Sequence, residues 1–302
     1  MSRRGRATPG VDGLLVLAKP AGCTSHDCVN QVRRLYGQRR VGHAGTLDPG
    51  ARGVLVLALG LATRLLEFLG GCDKAYRGEI VFGVTTASDD DQGDVVNMVN
   101  AAGLTAAAVR AALPALCGEI AQRAPAVSAK QVGGRRLYDL QRRGEAVEAP
   151  TALVRVDRLE LTSFVGGEQA VAAVTVECGP GTYVRAIARD LGAALGVGAH
   201  LRALVRTRVG PYGLDDAVTP ETLAALSPDE RLARLVPPET AVAHLPALTV
   251  PAALREDLRC GRVLALTAAA AADAVALLGE DGRLLAIGEP ASGGIHPRKV
   301  FV

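Results

Sequence analysis

Tryptophan is absent from this 302-residue chain, and aromatic residues of all kinds make up only 3% of it. A core must therefore be built from Leu, Val and Ala, and each of the five tyrosines stands out. Cysteine is sparse, with Cys23, Cys28, Cys72, Cys117, Cys178 and Cys260 and no C-x-x-C pair. Metal sites and redox dithiols usually need close pairs, so these read as reduced, structural thiols and no metal site is expected. No apolar run reaches the roughly 20 residues of a membrane helix. The Ala-rich stretch Ala265–Leu278 is shorter and carries Asp273. The basic residues 1–10 precede an apolar run, Gly13–Ala18, too short for a secretory signal. A cytosolic protein with no membrane partner is expected.

What is present is ample apolar material. Hydrophobic residues account for 49% and charged residues for 22%, which argues against wholesale disorder. The length suggests about two domains. The net charge of +3 is unevenly spread. Residues 1–64 hold ten Lys/Arg against three Asp, and residues 123–143 hold six against Asp139 alone. Residues 209–302 hold eight against twelve acids. A basic front with an acidic rear suits a polyanion approaching the front.

Residues 1–10 read as a disordered basic tail. Gly13–Ala18 reads as a strand stopped by Lys19-Pro20 and Gly22, after which Thr24-Ser25 caps a helix to about Tyr36. The Gly-rich segment 39–52 reads as a loop, and Val54–Leu59 as a buried strand. Tyr76–Val84 is a further strand, the acidic run Ser88–Asp94 a turn, and Thr105–Leu113 a capped helix. Residues 123–150, bounded by Pro125 and Pro150, read as a mobile basic excursion. Arg155–Phe164 and Ala170–Cys178 form strands around Gly166-Gly167, and Tyr183–Leu195 has helical periodicity. Pro220, Pro237, Pro238 and Pro246 mark a boundary, followed by a hairpin at Ala274–Leu278 and Arg283–Ile287. Clustered strands with interspersed helices favour an α+β fold.

The segment with most chemical content is Gly42-His43-Ala44-Gly45-Thr46-Leu47-Asp48-Pro49. Pro49 fixes its own φ and pushes Asp48 towards extended backbone, so one carboxylate can project from a rigid loop. Gly42 and Gly45 allow close approach of other groups. On these grounds alone Asp48 is either a nucleophile or the cap of a local turn.

This segment resembles the G-H-x-G-T-L-D-P motif of the bacterial tRNA pseudouridine-55 synthase family, the TruB type. Four other segments resemble the same family in the same order. They are Gly13–Ser25 (its opening strand and K-P-x-G-x-T-S turn), Asp73–Arg77 (D-K-x-Y), Gly181–Arg185 (G-T-Y-I-R) and Arg206–Pro211 (R-T-x-V-G-P). The resemblance implies a mixed, largely antiparallel central sheet with flanking helices in a catalytic domain over residues 11–245. It also implies a short β-rich PUA-like domain over 246–302. The implied reaction isomerises a uridine at position 55 in the tRNA T-loop. It breaks the N1–C1′ bond and rejoins the base through C5, with no net redox change and no cofactor. Asp48 matches the nucleophile, attacking C1′ or C6. Arg185 matches its arginine partner, expected to hold the carboxylate through two parallel hydrogen bonds and to keep its pKa low. Tyr76 matches the active-site tyrosine, able to stack on uracil and serve in proton transfer.

Among substrate-binding residues, Tyr183 is expected to wall the same pocket. His43 matches the residue that fills the space left by a flipped nucleotide. Lys19 contacts phosphate, supports the catalytic loop or is a plain surface lysine. The basic excursion fits a thumb-like insertion closing on the T-arm through Arg135, Arg136, Arg142 and Arg143. No obligate protein partner is implied. The chain departs from the pattern at Ala18, Ala87, Val127, Gln131 and Val205, none of which is a catalytic position. Two alternatives remain: a related synthase acting on another RNA, such as the guide-dependent type, and a non-catalytic RNA-binding or tRNA-folding protein.

Overall fold

A computed structural model describes residues 10–125, 131–132, 135–136, 149–267 and 272–302, with backbone only at 131–132 and 135–136. The chain begins with β1 (Gly13–Lys19), α1 (Ser25–Leu35), β2 (Val41–Ala44) and β3 (Arg52–Leu59), followed by the short helix α2 (Leu66–Gly70). Next come β4 (Lys74–Phe82), β5 (Val84–Thr86), β6 (Val95–Met98), α3 (Ala106–Ala112) and β7 (Gly118–Arg123). The two-residue strands β8 (Gln131–Val132) and β9 (Arg135–Arg136) pair with each other. Then follow β10 (Thr151–Val165), β11 (Val171–Cys178), α4 (Val184–Ala194), β12 (Ala199–Val209) and β13 (Tyr212–Gly213).

The central sheet has the order β1-β3-β12-β4-β11-β10-β7, with β2 added on β3 and β13 on β12. Its pairings are antiparallel except β12 with β3, so the sheet is mixed and largely antiparallel, as expected. The unbroken apolar run of β3 is explained by burial on both faces. Val54, Val56 and Ala58 enter one cluster with Leu14 and Val16, while Leu55, Leu57 and Leu59 enter another with Leu15, Leu17 and the α1 residues Cys28, Val29 and Val32. Strand β11 instead alternates. Its Ala172, Val174, Val176 and Cys178 pack under Ile187, Ala188 and Leu191 of α4. Period-2 alternation with one buried face is what puts α4 over the sheet.

The end of the chain forms a second sheet, β14 (Ala247–Thr249), β15 (Val275–Leu278), β16 (Leu284–Ala291) and β17 (Gly294–Val300). Three short helices lie outside the sheets: α5 (Pro220–Ala225) and α6 (Pro228–Ala233) before this second sheet in the chain, and α7 (Arg255–Arg259) between β14 and β15. Ala276, Leu284 and Ile287 share a buried cluster with Leu65, Leu69 and Val209 of the central region. Lys299 Nζ donates to the Arg64 carbonyl at 3.0 Å and pairs with Glu67, and Arg64 Nη1 donates to the Val300 carbonyl at 2.6 Å. Among the described residues no helix is long and apolar enough to cross a membrane.

Two readings of the sequence require correction. Segment 39–52 is not all loop, because β2 pairs with β3 from Val41 to Ala44 and buries both end residues. The strand expected at Tyr76–Val84 is split. Gly83, at φ +89°, ends β4 and turns the chain into the β5–β6 hairpin. Of the basic excursion, β8 and β9 carry the backbone of Arg135 and Arg136, while Arg142, Arg143 and residues 1–9 lie outside the described residues. All six cysteines are free thiols.

Candidate active site

The loop between β2 and β3 is held from below by the turn that follows β1. Thr24 caps α1 through a reciprocal box with Asp27, whose backbone N–H donates to Thr24 Oγ1 at 3.1 Å. This fixes Ser25, whose Oγ donates to the Leu47 carbonyl at 3.1 Å and accepts from the Leu47 N–H at 2.9 Å. The Gly22 N–H donates to the Pro49 carbonyl at 2.9 Å. Lys19 is 1% exposed. Its Nζ donates to the carbonyls of Pro20, Pro49 and Ala51 at 3.0, 3.3 and 2.7 Å. Burial holds the Lys19 ammonium below its ordinary pKa. The loop is thus pinned on both sides of Asp48.

Asp48 faces Arg185 from the first turn of α4. Arg185 Nη2 donates to Asp48 Oδ1 at 3.1 Å, and Nε lies 3.0 Å from Oδ2, so the contact is two-pronged. Arg185 Nη1 donates to the Ser88 carbonyl at 2.9 Å and lies 3.4 Å from Asp90 Oδ2. The Arg185 side chain is 5% exposed, whereas that of Asp48 is 41% exposed. The guanidinium is a buried anchor, and the carboxylate is its accessible end. The pKa of Asp48 nonetheless lies above its ordinary value. Burial pushes it up, Arg185 pulls it down, and Asp90 adds to the rise. The expectation of a depressed pKa is therefore corrected in direction, because desolvation outweighs the cation.

Tyr76 lies in β4 opposite Arg206 of β12 and Val176 of β11, and is 7% exposed. Burial raises its phenol pKa, and the nearby Arg206 charge opposes the rise. Asp48, Tyr76, Tyr183 and Arg185 line one cavity of about 260 Å³, together with Gly45, Lys74, Leu204 and Arg206. Tyr183 is placed by the buried Gln122, which accepts from its N–H at 2.8 Å and donates to its carbonyl at 3.1 Å. A second cavity of about 420 Å³ opens on the far side of Asp48 and Arg185, lined by Asp90, Asp91, Asp94 and Leu201. His43 and Lys19 do not line the first cavity. His43 sits in β2 opposite Leu57, with Nδ1 buried and without a hydrogen-bond partner in the structure. Burial, then the nearby Arg206, keep its imidazole below its ordinary pKa and hence neutral.

Three residues of this site are not among those singled out from the sequence. Arg206 and Lys74 lie inside motifs that did carry a signal, R-T-x-V-G-P and D-K-x-Y. Asp90 lies in the acidic run, read only as a turn. The chemistry open to the arrangement is that of a fixed, accessible carboxylate beside a buried tyrosine and two further cations. No group of three metal-ligating side chains occurs among the described residues.

The mixed sheet with its flanking helices is a pseudouridine synthase fold. A chain of an archaeal box H/ACA sRNP Nop10-Cbf5 complex superposes with a TM-score of 0.72 and 26% identity, covering 96% of this chain and 86% of that one. A chain of a Cbf5-Nop10-Gar1 complex gives 0.73 and 26%, covering 96% and 85%. Residues 33–184 match the N-terminal domain of the TruB family pseudouridylate synthases, and residues 185–243 match the tRNA pseudouridylate synthase B C-terminal domain. The tRNA pseudouridine synthase B of Synechococcus sp. strain WH7803 is 44% identical, covering 96% of this chain and 97% of its own. That of Symbiobacterium thermophilum is 50% identical over 81% and 80%, and that of Mycobacterium avium 53% over 70% and 69%. The chain belongs to the TruB family of pseudouridylate synthases.

Proposed function

We propose that this enzyme isomerises the uridine at position 55 in the T-loop of tRNA to pseudouridine, with Asp48 as nucleophile and without a cofactor. The observation that carries this reading is the two-pronged Arg185–Asp48 contact beside Tyr76 in one cavity. The guanidinium aims the carboxylate and stabilises its charge. The 41% exposure leaves that carboxylate open to an incoming nucleotide. The target base must leave its stack to reach it, and the neutral ring of His43 is suited to stacking in the vacated space. Tyr76 and Tyr183 wall the uracil. Breaking N1–C1′ and forming C5–C1′ moves one proton from C5 and gives one to N1. No electrons are gained or lost, and the reaction itself calls for no redox group.

Lys19 is assigned to the catalytic loop rather than to RNA, since its three hydrogen bonds all go to backbone carbonyls. Arg135, Arg136, Arg142 and Arg143 are assigned to phosphates of the T-arm, with residues 246–302 as a PUA-like domain. The guide-dependent alternative is disfavoured by degree: identity is 44–53% to the tRNA synthases but 25–26% to the H/ACA chains. The deciding experiment incubates unmodified tRNA with the enzyme and with Asp48→Asn, then maps pseudouridine at single-nucleotide resolution. Product at position 55 from the wild type only is expected, with T-arm binding retained by the variant. Equal product from Asp48→Asn would refute the nucleophile, and product at another site would refute the substrate.

A further inference from the structure

Helix α4 carries two arginines one turn apart, Arg185 and Arg189, and side chains four residues apart share a helix face. The Arg189 guanidinium engages three partners. Its Nη1 donates to Asp89 Oδ2 at 2.9 Å, its Nε to Asp190 Oδ1 at 2.8 Å, and its Nη2 to the Arg123 carbonyl at 2.9 Å. The side chains of Arg189 and Asp89 are 18% and 14% exposed, so water and salt screen the pair weakly. Arg123 ends β7 and is fixed there by pairing with Thr151 of β10. Arg189 is thus anchored to the central sheet on one side and reaches the acidic run on the other. That run needs an anchor. Asp89 has φ +61° and is the one non-glycine residue in the left-handed region among the described residues. Such a conformation is unfavourable and persists only where its surroundings hold it. Here the Leu201 N–H of β12 donates to the Asp89 carbonyl at 3.0 Å, and Arg189 takes the carboxylate. The neighbours of Asp89 on either side are partners of Arg185: the Ser88 carbonyl at 2.9 Å and Asp90 Oδ2 at 3.4 Å. Two arginines on one helix face therefore grip three consecutive residues, and the middle one belongs to Arg189.

We propose that Arg189 is a positioning residue for the nucleophile: by clamping Asp89 against the end of β7 it keeps Ser88 and Asp90 on Arg185, and so keeps the Arg185–Asp48 contact aimed. This rests on the reading of Asp48 given above. Arg189 lines neither of the two cavities beside Asp48, so it acts through Arg185 and not on the substrate. A plain brace would register in stability alone, whereas this clamp also sets the charge around the nucleophile. Arg185 of α4, Asp90 of the acidic run, Lys19 of β1 and Tyr76 of β4 face Asp48. Asp90 is the carboxylate among them, and it raises the Asp48 pKa. Releasing Asp89 lets that anion move off and leaves Arg185 more fully to Asp48.

The test combines structure, rate and pH. In a crystal structure of Arg189→Gln without RNA, Arg185 Nη1 and Asp90 Oδ2 are expected to separate beyond about 4 Å, the reach of an ion pair. Single-turnover rates on saturating T-arm RNA are expected to fall about tenfold in Arg189→Gln, about as far in Asp89→Asn, and less in Arg189→Lys. Affinity for that RNA should stay within about threefold of wild type, since Arg189 touches no substrate. Arg189→Gln and Asp89→Asn together should cost no more than the larger single loss, because both break one clamp. The acid limb of the rate profile should move to lower pH in Arg189→Gln, a shift that lost stability alone would not produce. An unmoved acidic run in whichever of the three variants folds, a rate within about twofold of wild type, additive losses or an unmoved acid limb would overturn the proposal. The crystal structure involves no substrate, so its failure is distinct from failure of the uridine-55 reading, which product mapping with the wild type decides.

Discussion

Replacing Asp48 by Asn should abolish activity and yet stabilise the protein at neutral pH. The Asp48 pKa lies above its ordinary value because burial and Asp90 together exceed the pull of Arg185. A carboxyl whose folded-state pKa is raised binds its proton more tightly in the folded chain. Its favourable contribution is complete below the unfolded pKa of about 3.9 and is lost as pH rises through the folded value. Above that, ionised Asp48 strains the fold relative to a neutral isostere. Asn keeps an oxygen to accept from Arg185, and Arg185 keeps Ser88 and Asp90, so no buried charge is orphaned. One pH unit corresponds to about 1.4 kcal/mol. Because the Asp48 side chain is 41% exposed, solvent screening limits the gain to at most about 1 kcal/mol. For a chain of this size that is a rise of about 2 °C in Tm. The assay is thermal unfolding of both proteins from acid to neutral pH at low salt. The difference should open as pH rises through the Asp48 pKa and then level off. A variant less stable than wild type by more than about 1 kcal/mol at neutral pH would show that the ion pair outweighs desolvation, and the reasoning would fail.

Arg185→Lys keeps a charge but loses the two-pronged grip, so single-turnover rate should drop at least about tenfold; a change within about twofold would refute the orienting role. Gly53→Ala should destabilise by about 3 kcal/mol in urea unfolding, since Gly53 sits at φ +108° and an added Cβ would lie 2.1 Å from the Arg206 carbonyl oxygen. The His43 imidazole should titrate below 6.5 by NMR. Its lowered folded pKa means that its contribution to stability is present above 6.5 and lost as pH falls through the folded value. A midpoint above 6.5 would contradict its burial. T-arm binding should weaken steeply with salt, and neutralising Arg135, Arg136, Arg142 and Arg143 should flatten that slope while leaving single-turnover chemistry on saturating RNA intact.

Local chemistry was legible without coordinates. The helix start at Thr24-Ser25, the strand at Ala170–Cys178, the buried run Val54–Leu59 and the Leu47-Asp48-Pro49 loop are all written in neighbouring residues, where sterics and period act at short range. Strand β2 was not, because four residues among glycines carry too little pattern and form a strand only when β3 offers an edge. The site also needed distance to collapse. Arg185 and Asp48 are 137 positions apart, and Arg206 meets the Gly45 carbonyl across 161. A motif can nominate Arg185, but nothing in one dimension shows that Arg206 is buried with no carboxylate paired to it among the described residues, or that Lys19 points inward to backbone carbonyls. Nor does a neighbouring cation reveal the direction of the Asp48 pKa. That direction is the difference between desolvation and Coulomb attraction, and desolvation exists only once the surrounding strands have closed around the group.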